Sequence, residues 1–394
     1  MIIHEINVIG GGISGLTFAH YTALKGHQVK VFEKERGGGS IHSHSLNRHY
    51  IDFGAHTLTN RYAVVLEILE YYNATDQIDK PLSLKFEGYG NNRFSNLLSS
   101  IYWMEVFRSV IIGYKTKKAG LSVSTYYSRI FGKKNYHHFF HYVFQAILCQ
   151  DPDHYPAEQL FRKRERNRKY PKTFSLKKGL AQLLSIIQTN PSISLEYKNI
   201  TRVTWDGDLY VLWSNAEKVA ASKFICLACD PKTAALLLTE LKPSMAGLLQ
   251  RFPVVQVQSL LIGSSNTTLF SKRNKSIIGF DMPFYSAILN VIEGAKFWLF
   301  HFKENTISVT DKIRLISEVF SVREDEIYVV AARQALLPAV SADHLELQHK
   351  IDFEIAGSSI FVVGNYLNGL SVEDCCSRAK NEAERLSGVL CLEY

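Results

Sequence analysis

The chain has 394 residues, of which 46% are hydrophobic and 21% are charged, and its formal net charge at pH 7 is +8. This composition is typical of a folded globular protein and argues against a disordered, collagen-like or disulfide-stapled chain. The length predicts two domains with a sizeable core. The six cysteines are scattered along the sequence, which favours a reducing compartment, and we expect Cys226 and Cys229 to be buried thiols.

Met1 leads directly into the first predicted strand, so we expect no signal peptide. No run of about 18 apolar residues predicts a membrane span. We therefore predict a cytoplasmic protein. The moderate positive charge comes without a nucleic-acid recognition motif, so we expect nucleic acid not to be a partner.

A glycine cluster follows the first predicted strand, INVI. It fits the pattern G-x-G-x-x-G from Gly10 to Gly15, and an amphipathic stretch that begins at Ile13 predicts a helix. A second predicted strand, QVKVFE, ends at Glu33, close to the offset of about 20 residues at which a carboxylate holds a ribose hydroxyl. Because strand, turn and helix bring backbone N–H groups to one point, this region predicts a dinucleotide site with its pyrophosphate at the helix N-terminus.

A second glycine cluster comes soon after Glu33, within the sequence KERGGGSIHS, and the sequence NRHYIDFGAHTLTN follows it. An NAD-binding domain does not require a glycine turn at this point. Small residues leave room where a backbone passes close to a bound ligand. The motif residues in these two stretches are Arg36, Gly38, Gly39, Asp52, Gly54 and Ala55.

These motifs resemble those of the FAD-dependent amine oxidase, protoporphyrinogen oxidase and phytoene desaturase superfamily, and those of protoporphyrinogen oxidase-like proteins most of all. The resemblance implies that the second turn makes room for the flavin half of FAD, and that residues 40–43 and 54–57 line the isoalloxazine ring and its linker. Ser40 stands where most members carry Arg, Lys or an aromatic residue, and the chain is shorter than most members. The resemblance therefore implies the cofactor and leaves the substrate open.

Later stretches extend the resemblance over most of the chain. The sequence TFSLKKGLAQLLSIIQ is similar to the segment with which the family re-enters the FAD domain, and ISLEYKNITRVTWDGDLYVLW and KFICLACDPKTAALL are similar to strands that follow it. The sequence SIFVVGNYLNGLSVEDCCSRAKNEAERL resembles the C-terminal flavin motif of protoporphyrinogen oxidases. There, the resemblance implies a helix beginning near Leu370 whose backbone N–H groups point at the flavin.

The implied fold class is α/β, with a Rossmann-like FAD-binding domain that contains a parallel sheet and helices. A discontinuous α+β substrate domain with a mixed sheet would interrupt it, and the substrate would lie between that sheet and the flavin. The expected FAD-binding domain comprises residues 1–80, 173–250 and 351–394, and the expected substrate domain comprises residues 81–172 and 251–350.

The resemblance also implies a set of residues that bind FAD noncovalently, because no cysteine lies in a match to an attachment motif. His56 and Tyr366 are the candidate catalytic residues, since His56 lies in the GAHT stretch and Tyr366 follows the dipeptide GN. For both side chains the alternative is ordinary packing. The candidate FAD-binding residues are Gly10, Gly12, Ile13, Ser14, Gly15, Glu33, Lys34, Arg36, Gly38, Gly39, Ser40, Ile41, Gly54, Ala55, His56, Thr57, Ile200, Ala228, Gly364, Asn365, Leu370, Ser371 and Val372.

The implied function is that of an oxidoreductase. A small organic molecule would be dehydrogenated by hydride transfer to N5 of FAD, in a protoporphyrinogen oxidase-like or amine oxidase-like reaction, and oxygen or another acceptor would reoxidise the flavin. One alternative is a sugar-nucleotide mutase-like enzyme that uses reduced FAD, with the basic run from Arg162 holding the nucleotide diphosphate. The other is a flavin-binding partner protein without catalysis. The oligomeric state is not indicated.

Two further segments have features of a metal site or of a membrane contact. His137 and His141 could meet on one helix face, but no carboxylate stands in the spacing of a zinc protease, so no metal site is expected. The segment from Asn96 to Lys118 is aromatic and apolar with a basic end. It is interpreted either as a packed helix of the substrate domain or as a peripheral contact with a membrane surface.

Overall fold

The structure, a computed structural model, describes residues 5–35, 39–82, 85–113, 115–266, 272–304 and 307–392. The chain forms two compact units, each discontinuous in the sequence. The first comprises Met1–Pro81, Lys163–Pro253 and Asp343–Tyr394, and the second comprises Leu82–Arg162 and Val254–Ala342. Among the described residues, no helix has the length and apolar character that crossing a membrane requires.

The described strands are β1 (Glu5–Ile9), β2 (Gln28–Glu33), β3 (Ser43–Leu46), β4 (His49–Asp52), β5 (Leu58–Thr59), β6 (Ile78–Asp79), β7 (Phe86–Gly90), β8 (Arg93–Ser95), β9 (Thr173–Leu176), β10 (Ile193–Tyr197), β11 (Arg202–Trp205), β12 (Tyr210–Ser214), β13 (Glu217–Ser222), β14 (Phe224–Leu227), β15 (Val254–Ser264), β16 (Ser276–Gly279), β17 (Phe284–Ile292), β18 (Ala295–Phe302), β19 (Ile327–Pro338) and β20 (Ile360–Val362). They have at most six residues each, apart from β15, β17, β18 and β19 of the second unit.

The helices include one π-helical turn, Tyr136–Phe140, which joins α5 to α6. The α-helices are α1 (Ile13–Ala23), α2 (Ala63–Tyr71), α3 (Trp103–Gly113), α4 (Val123–Phe131), α5 (Lys133–Asn135), α6 (His141–Leu148), α7 (Gln182–Ile187), α8 (Pro231–Leu238), α9 (Pro243–Gln250), α10 (Val309–Phe320), α11 (Asp343–Ile355) and α12 (Val372–Leu392).

The first unit is built on a parallel sheet in the order β10-β2-β1-β14-β20. The central strands β1 and β14 pair in parallel, with Ile6 opposite Phe224 and Ile9 opposite Leu227. All four residues of β14 are buried, and only Glu5 of β1 is exposed. Continuous apolar runs of this kind are typical of parallel strands covered on both faces. The Rossmann-like α/β fold class predicted from the sequence is confirmed.

Helix α1 differs from the prediction. The sequence predicted an amphipathic helix, but every residue from Ile13 to Ala23 is buried, including Thr17, His20 and Thr22. The reason is that α1 contacts α12, α7 and strand β2, so no side faces water. The polar residues of α1 are therefore buried in part by helices that are distant in the sequence.

Three smaller sheets complete the first unit. Strands β11, β12 and β13 form an antiparallel meander, β3 and β4 form a hairpin, and β9 lies between β5 and β6. The hairpin begins four residues after Gly39 and ends at Asp52, so it carries the chain from the second glycine cluster to the GAHT stretch.

The second unit holds a seven-stranded sheet in the order β19-β15-β18-β17-β16-β7-β8. Strands β16 and β7 pair in parallel, whereas the other neighbours are antiparallel, so the predicted mixed sheet is confirmed. Trp298 and Phe300 of β18 are fully buried, and both rings pack against Phe320 of α10. That face of the sheet is therefore a core.

Candidate cofactor-binding site

The first glycine cluster forms a tight turn at the carboxyl end of the parallel sheet. Strand β1 ends at Ile9, and the N–H of Gly10 donates to the carbonyl of Phe32, at 2.8 Å. Gly10 has φ +112°, a left-handed conformation that glycine adopts without strain. Helix α1 follows at Ile13, and its N-cap is Gly12, which has no side chain to satisfy the first N–H groups. An anionic ligand can therefore bind to them.

Two of these glycines are required because the backbone approaches too closely for a side chain. A Cβ at Gly10 would lie 2.5 Å from the carbonyl oxygen of Ala228, and a Cβ at Gly15 would lie 2.0 Å from that of Gly10. Ala228 follows strand β14, and its N–H donates to the carbonyl of Ile9 at 2.8 Å. The predicted site residue Ala228 therefore sits directly beside the turn and holds its shape.

Gly39, the last residue of the second glycine cluster, lies against the first cluster. Gly39 has φ +74°, and a Cβ there would stand 3.1 Å from Cα of Gly12. A Cβ at Gly12 would in turn lie 3.4 Å from Cα of Gly39. Side chains at either position would fill the space beside the helix N-terminus, so the two clusters form one cradle of backbone. Arg36 and Gly38, which the sequence also assigned to the site, lie outside the described residues.

Glu33 ends β2 with its carboxylate fixed by the turn. Its Oε2 accepts from the N–H of Gly11 at 2.8 Å and its Oε1 accepts from the N–H of Glu35 at 3.0 Å. The side chain is 8% exposed. A carboxylate has about four acceptor positions, so a ribose hydroxyl can still donate to it. Lys34, by contrast, is exposed and lies 3.9 Å from the Glu35 carboxylate.

The stretch from Ser40 to Thr57 folds back on itself through the hairpin β3–β4. A Cβ at Gly54 would lie 2.4 Å from the carbonyl oxygen of Ser40, and the N–H of Phe53 donates to His42, so the two ends of the stretch touch. Ile41 is buried, Ser40 and Ala55 are exposed, and His56 and Thr57 are half-buried. Burial lowers the pKa of His56 to about 4, so its imidazole is neutral at pH 7.

Asp52 ties this hairpin to the segment that precedes α7. Its Oδ1 accepts from the hydroxyl of Ser43 at 2.5 Å and from the N–H of Leu180 at 2.8 Å, while the Ser43 hydroxyl accepts from the N–H of Ala181 at 3.0 Å. Burial raises the pKa of Asp52 to about 6, although these two bonds to its carboxylate oppose the shift. From the sequence, Asp52 was recognised only as a residue of the motif. The spacing of residues did not predict its hydrogen-bond partners.

The C-terminal motif brings a second helix N-terminus to the same edge of the sheet. After β20, the N–H of Val363 donates to the carbonyl of Leu227 at 3.0 Å, and helix α12 begins at Val372. The beginnings of the two helices meet, because the hydroxyl of Thr17 in α1 donates to the sulfur of Cys376 in α12 at 3.4 Å. The predicted residues Gly364, Asn365, Leu370, Ser371 and Val372 form this connection.

Tyr366 and Ile200 point into the core of the first unit. Tyr366 is 2% exposed, and its ring stands edge-on to Phe252, with ring centroids 5.3 Å apart. No described residue accepts a hydrogen bond from its hydroxyl group. Ile200 is 4% exposed and packs in the same cluster as Ile9 and Phe32.

Two buried carboxylates at the start of α12 were not predicted as site residues from the sequence. The Glu373 carboxylate accepts from the N–H groups of Val64 and Val65 at 3.0 and 3.2 Å, and so caps α2. Burial raises the pKa of Glu373 to about 7, against the opposing effect of these bonds. Arg164 donates to the buried carboxylate of Asp374 at 2.6 Å. Two adjacent acidic residues in the first turn of a helix were a signal for such a polar site. Their partners, however, lie far away in the sequence.

Comparison with known proteins supports the fold. Residues 8–72, which include both glycine clusters and Glu33, match the family model described as "NAD(P)-binding Rossmann-like domain". A protein of Methanothermococcus thermolithotrophicus described as "Uncharacterized protein in nifH2 3'region" is 34% identical over a match of 96 residues, and the match covers 20% of this chain and 94% of that protein. The chain belongs to the same family as that protein.

Solved structures resemble the chain over nearly its whole length. A protein from Exiguobacterium sp. 255-15, provisionally described as a protoporphyrinogen oxidase, gives a TM-score of 0.76 at 12% identity and covers 99% of each chain. A reduced UDP-galactopyranose mutase gives 0.71 at 13% identity, over 98% of this chain and 96% of that one. Cyclohexylamine oxidase from Brevibacterium oxydans IH-35A gives 0.64 at 13% identity, over 100% of both. The chain therefore shares the fold of these three proteins.

A polar cluster in the second unit involves one of the histidines singled out in the sequence. Ligand atoms of His141, Asp151 and Asp153 lie within 4.8 Å of one another. The Asp153 Oδ1 already accepts from the Tyr136 hydroxyl at 2.7 Å and from His141 Nδ1 at 2.9 Å. These bonds join the π-helical turn and the start of α6 to the loop after α6, so we interpret the cluster as structural.

The cysteines of the C-x-x-C pair lie at the end of β14. Cys226 is fully buried, Cys229 is half-buried, and both are free thiols. Burial raises the pKa of both thiols, which keeps them protonated at neutral pH. Cys226 is thus the buried thiol that the sequence predicted, whereas Cys229 is less buried than predicted.

Proposed function

We propose that the protein is a flavoenzyme that binds FAD noncovalently and dehydrogenates a small organic molecule. The contact between Gly12 and Gly39 carries the proposal: two glycine segments, not one, leave backbone open at the N-terminus of α1. A turn for NAD alone does not require the second segment. When bound, FAD supplies the hydride acceptor, N5 of its ring.

The described residues would provide partners for three parts of this cofactor. The first N–H groups of α1 would hold the pyrophosphate, and the Glu33 carboxylate would accept from a ribose hydroxyl. The N–H groups at the start of α12 would stabilise negative charge on the flavin end. Ser371 belongs to this start, where its hydroxyl accepts from the N–H of Asp374 at 3.1 Å and donates to the Asp374 carboxylate.

His56 is the side chain that we propose for a role with the substrate or the ring. Its imidazole is neutral at pH 7, because burial lowers its pKa to about 4, so one ring nitrogen can donate a hydrogen bond and the other can accept one. His56→Gln keeps a neutral donor and acceptor but cannot move a proton. We expect this variant to retain flavin and to reduce it about 100-fold more slowly with substrate. Equal rates would remove His56 from the chemistry.

Tyr366 is the second catalytic residue that the sequence predicts. Its ring packs against Phe252 in the core, so its contribution would be to hold the loop before α12 in position. The remaining proposals are a cytoplasmic location and reoxidation of the flavin by oxygen or another acceptor.

The first experiment is an absorption spectrum of the purified protein, before and after acid precipitation. Flavin bands that pass into the supernatant, followed by chromatography against FAD and FMN, would support noncovalent FAD. A colourless protein that also fails to take up added FAD would refute the proposal, and NAD would be the next ligand to test. Anaerobic bleaching with a panel of amines, tetrapyrroles and polyunsaturated acids would then identify the substrate class.

The mutase-like alternative has support in the fold shared with a UDP-galactopyranose mutase. It predicts conversion of a nucleotide sugar only after chemical reduction of the flavin, with no bleaching by that sugar. Part of the basic run proposed to bind the diphosphate is already engaged, since Arg164 pairs with the buried Asp374. This observation ranks the mutase-like reaction below dehydrogenation. Bound flavin that neither bleaches with the panel nor supports conversion when reduced would favour a partner protein without catalysis.

A further inference from the structure

Helix α3 in the second unit carries an uncovered apolar stripe, which we define as Trp103, Met104, Phe107, Val110 and Ile111. Met104 and Ile111 are each 75% exposed, Phe107 is 65% exposed and Trp103 is 52% exposed. At about 100° per residue, the five positions fall within an arc of about 120° on one side of the helix. Single exposed apolar residues are ordinary, but a continuous stripe of this kind marks an interaction surface.

The side of α3 opposite to the stripe contacts the rest of the second unit, so the stripe faces outward. The Glu105 carboxylate accepts from the N–H groups of Lys134 and Asn135 at 3.0 and 2.9 Å. Gly113 lies so close to α4 that a Cβ there would stand 2.3 Å from the carbonyl oxygen of Arg129. These contacts lie on the side of α3 opposite to the stripe, and they do not involve the residues of the stripe.

The segment of sequence that carries the stripe is predominantly basic. Between residues 96 and 150 the sequence has a single acidic residue, Glu105, whose carboxylate already accepts from backbone N–H groups. The lysines and arginines of the same segment are Arg108, Lys115, Lys117, Lys118, Arg129, Lys133 and Lys134, and all except Lys118 are exposed.

We propose that α3 binds the surface of a membrane that contains anionic lipids, with its axis parallel to the surface and the stripe at the level of the upper acyl chains. The basic residues would contact the lipid headgroups, and Trp103 would lie at the interface. Helix α3 has eleven residues and is about 16 Å long, so it is too short to span a hydrocarbon core of about 30 Å.

A second copy of the chain is the other occupant to consider. Pairing stripe with stripe would bring the basic segments of both copies together, and like charges oppose that contact. An anionic surface neutralises the same charges while it covers the stripe. Charge complementarity therefore favours the membrane. The proposal does not depend on flavin binding, because every residue that carries it lies on α3 or in the basic segment around it.

The test is cosedimentation of the full chain with vesicles of phosphatidylcholine, with and without about 30% phosphatidylglycerol. We expect binding to the anionic vesicles that weakens with added salt. The variant Phe107→Ser/Ile111→Ser should bind at least about ten-fold more weakly. Phe353→Ser is the matched control: Phe353 is 83% exposed on α11, and its loss should leave binding unchanged. Thermal melting of each variant verifies that it folds.

Two further measurements make the result specific to α3. Lys115→Gln/Lys117→Gln removes charge without touching the stripe, and it should weaken binding to anionic vesicles several-fold. Vesicles with brominated acyl chains should quench the fluorescence of Trp103, and Trp103→Phe should abolish that quenching.

Three outcomes would overturn the proposal. The first is stripe variants that bind vesicles as tightly as the natural sequence. The second is equal binding to neutral and anionic vesicles. The third is a concentration-dependent dimer that the stripe substitutions abolish, in a protein that does not bind vesicles, which would assign the stripe to a second copy.

Discussion

Gly15 offers the most direct test of the phosphate turn. A methyl group at this position would lie 2.0 Å from the carbonyl oxygen of Gly10 and 2.9 Å from Cβ of Ala228. The first obstacle is backbone, and the second is a Cβ held by its backbone, so neither can rotate away. In Gly15→Ala, therefore, helix α1 has to move away from the carboxyl end of β1.

The size of the effect follows from this geometry. Restoring an ordinary nonbonded contact requires a retreat of roughly 1 Å. Overpacking of a core typically costs about 1–3 kcal/mol. Since α1 is buried on every side and packs against α12, its retreat also compresses other contacts, and we expect a loss of about 3 kcal/mol in the free energy of unfolding. The displaced N–H groups of α1 should also bind flavin less tightly.

The assay measures two quantities on one preparation: the ratio of flavin to protein absorbance, and the midpoint of thermal unfolding. Gly247→Ala is the matched control, because Gly247 lies inside α9 and a Cβ there would meet nothing within 4 Å. Alanine is favoured over glycine in a helix interior by about 1 kcal/mol, so this variant should keep its flavin and melt at the same or a higher temperature.

Equal flavin content and equal melting temperatures in Gly15→Ala and Gly247→Ala would refute the reasoning. That result would mean that α1 can separate from β1 without cost, and hence that the turn does not fix the N–H groups. A loss of stability with unchanged flavin content would keep the packing argument and reject the role of the α1 N-terminus in binding.

Three further predictions concern buried polar groups. Burial raises the pKa of Glu373 from about 4.5 to about 7, so the folded state binds this proton more tightly than the unfolded state, and the corresponding stabilisation is lost as the pH rises from 4.5 through 7. Melting curves should show that the natural sequence loses about 3 kcal/mol over this range relative to Glu373→Gln; parallel pH profiles would contradict this. Tyr366→Phe should melt at the same or a slightly higher temperature, because no described residue accepts from the hydroxyl; a drop of several degrees would reveal a partner. Bonds from Tyr136 and His141 lower the pKa of Asp153 despite the raising effect of burial, so they stabilise the fold above the usual pKa near 4, and this stabilisation is lost as the pH falls through the lowered pKa of the folded state. Asp153→Asn should therefore cost about 1 kcal/mol at pH 7 and progressively less as the pH falls below about 4, and a cost that does not change with pH would show that charge plays no part.

Much of the first unit could be predicted because its signals are local. The apolar runs of β1 and β14 are buried on both faces. Each run is followed directly by a turn whose residues belong to a recognised motif. The mixed sheet of the second unit was predictable in part, since the sequence VVQVQS at the start of β15 alternates as an antiparallel strand does. Strand β18 does not alternate, because it is buried from Phe297 to Phe302. In both cases the spacing of residues within one segment contains the information.

The remainder depends on contacts between distant segments. Glu373 caps α2 from 309 residues away along the chain, and Arg164 reaches Asp374 from 210 residues away. Periodicity within one helix cannot show such partners. The same limit explains α1, whose polar Thr17 donates to the sulfur of Cys376 across a helix pair that its own sequence does not reveal. The π-helical turn after α5 likewise left no recognisable pattern.

The glycines of the two clusters are constrained by different neighbours, and the difference bears on the ligand. Gly10 and Gly15 are constrained by strands β1 and β14, so they are needed for any domain with this strand–turn–helix unit, whatever dinucleotide it binds. Among the described residues, a Cβ at Gly39 would meet Gly12, at 3.1 Å from its Cα, so this position is constrained by a second backbone segment that passes beside the first. A ligand that lies along both segments would explain this passage, and a dinucleotide with a long flavin arm has the length to do so. Substitutions at Gly10 and Gly15 should therefore affect folding and binding together, whereas a substitution at Gly39 should affect binding far more than folding.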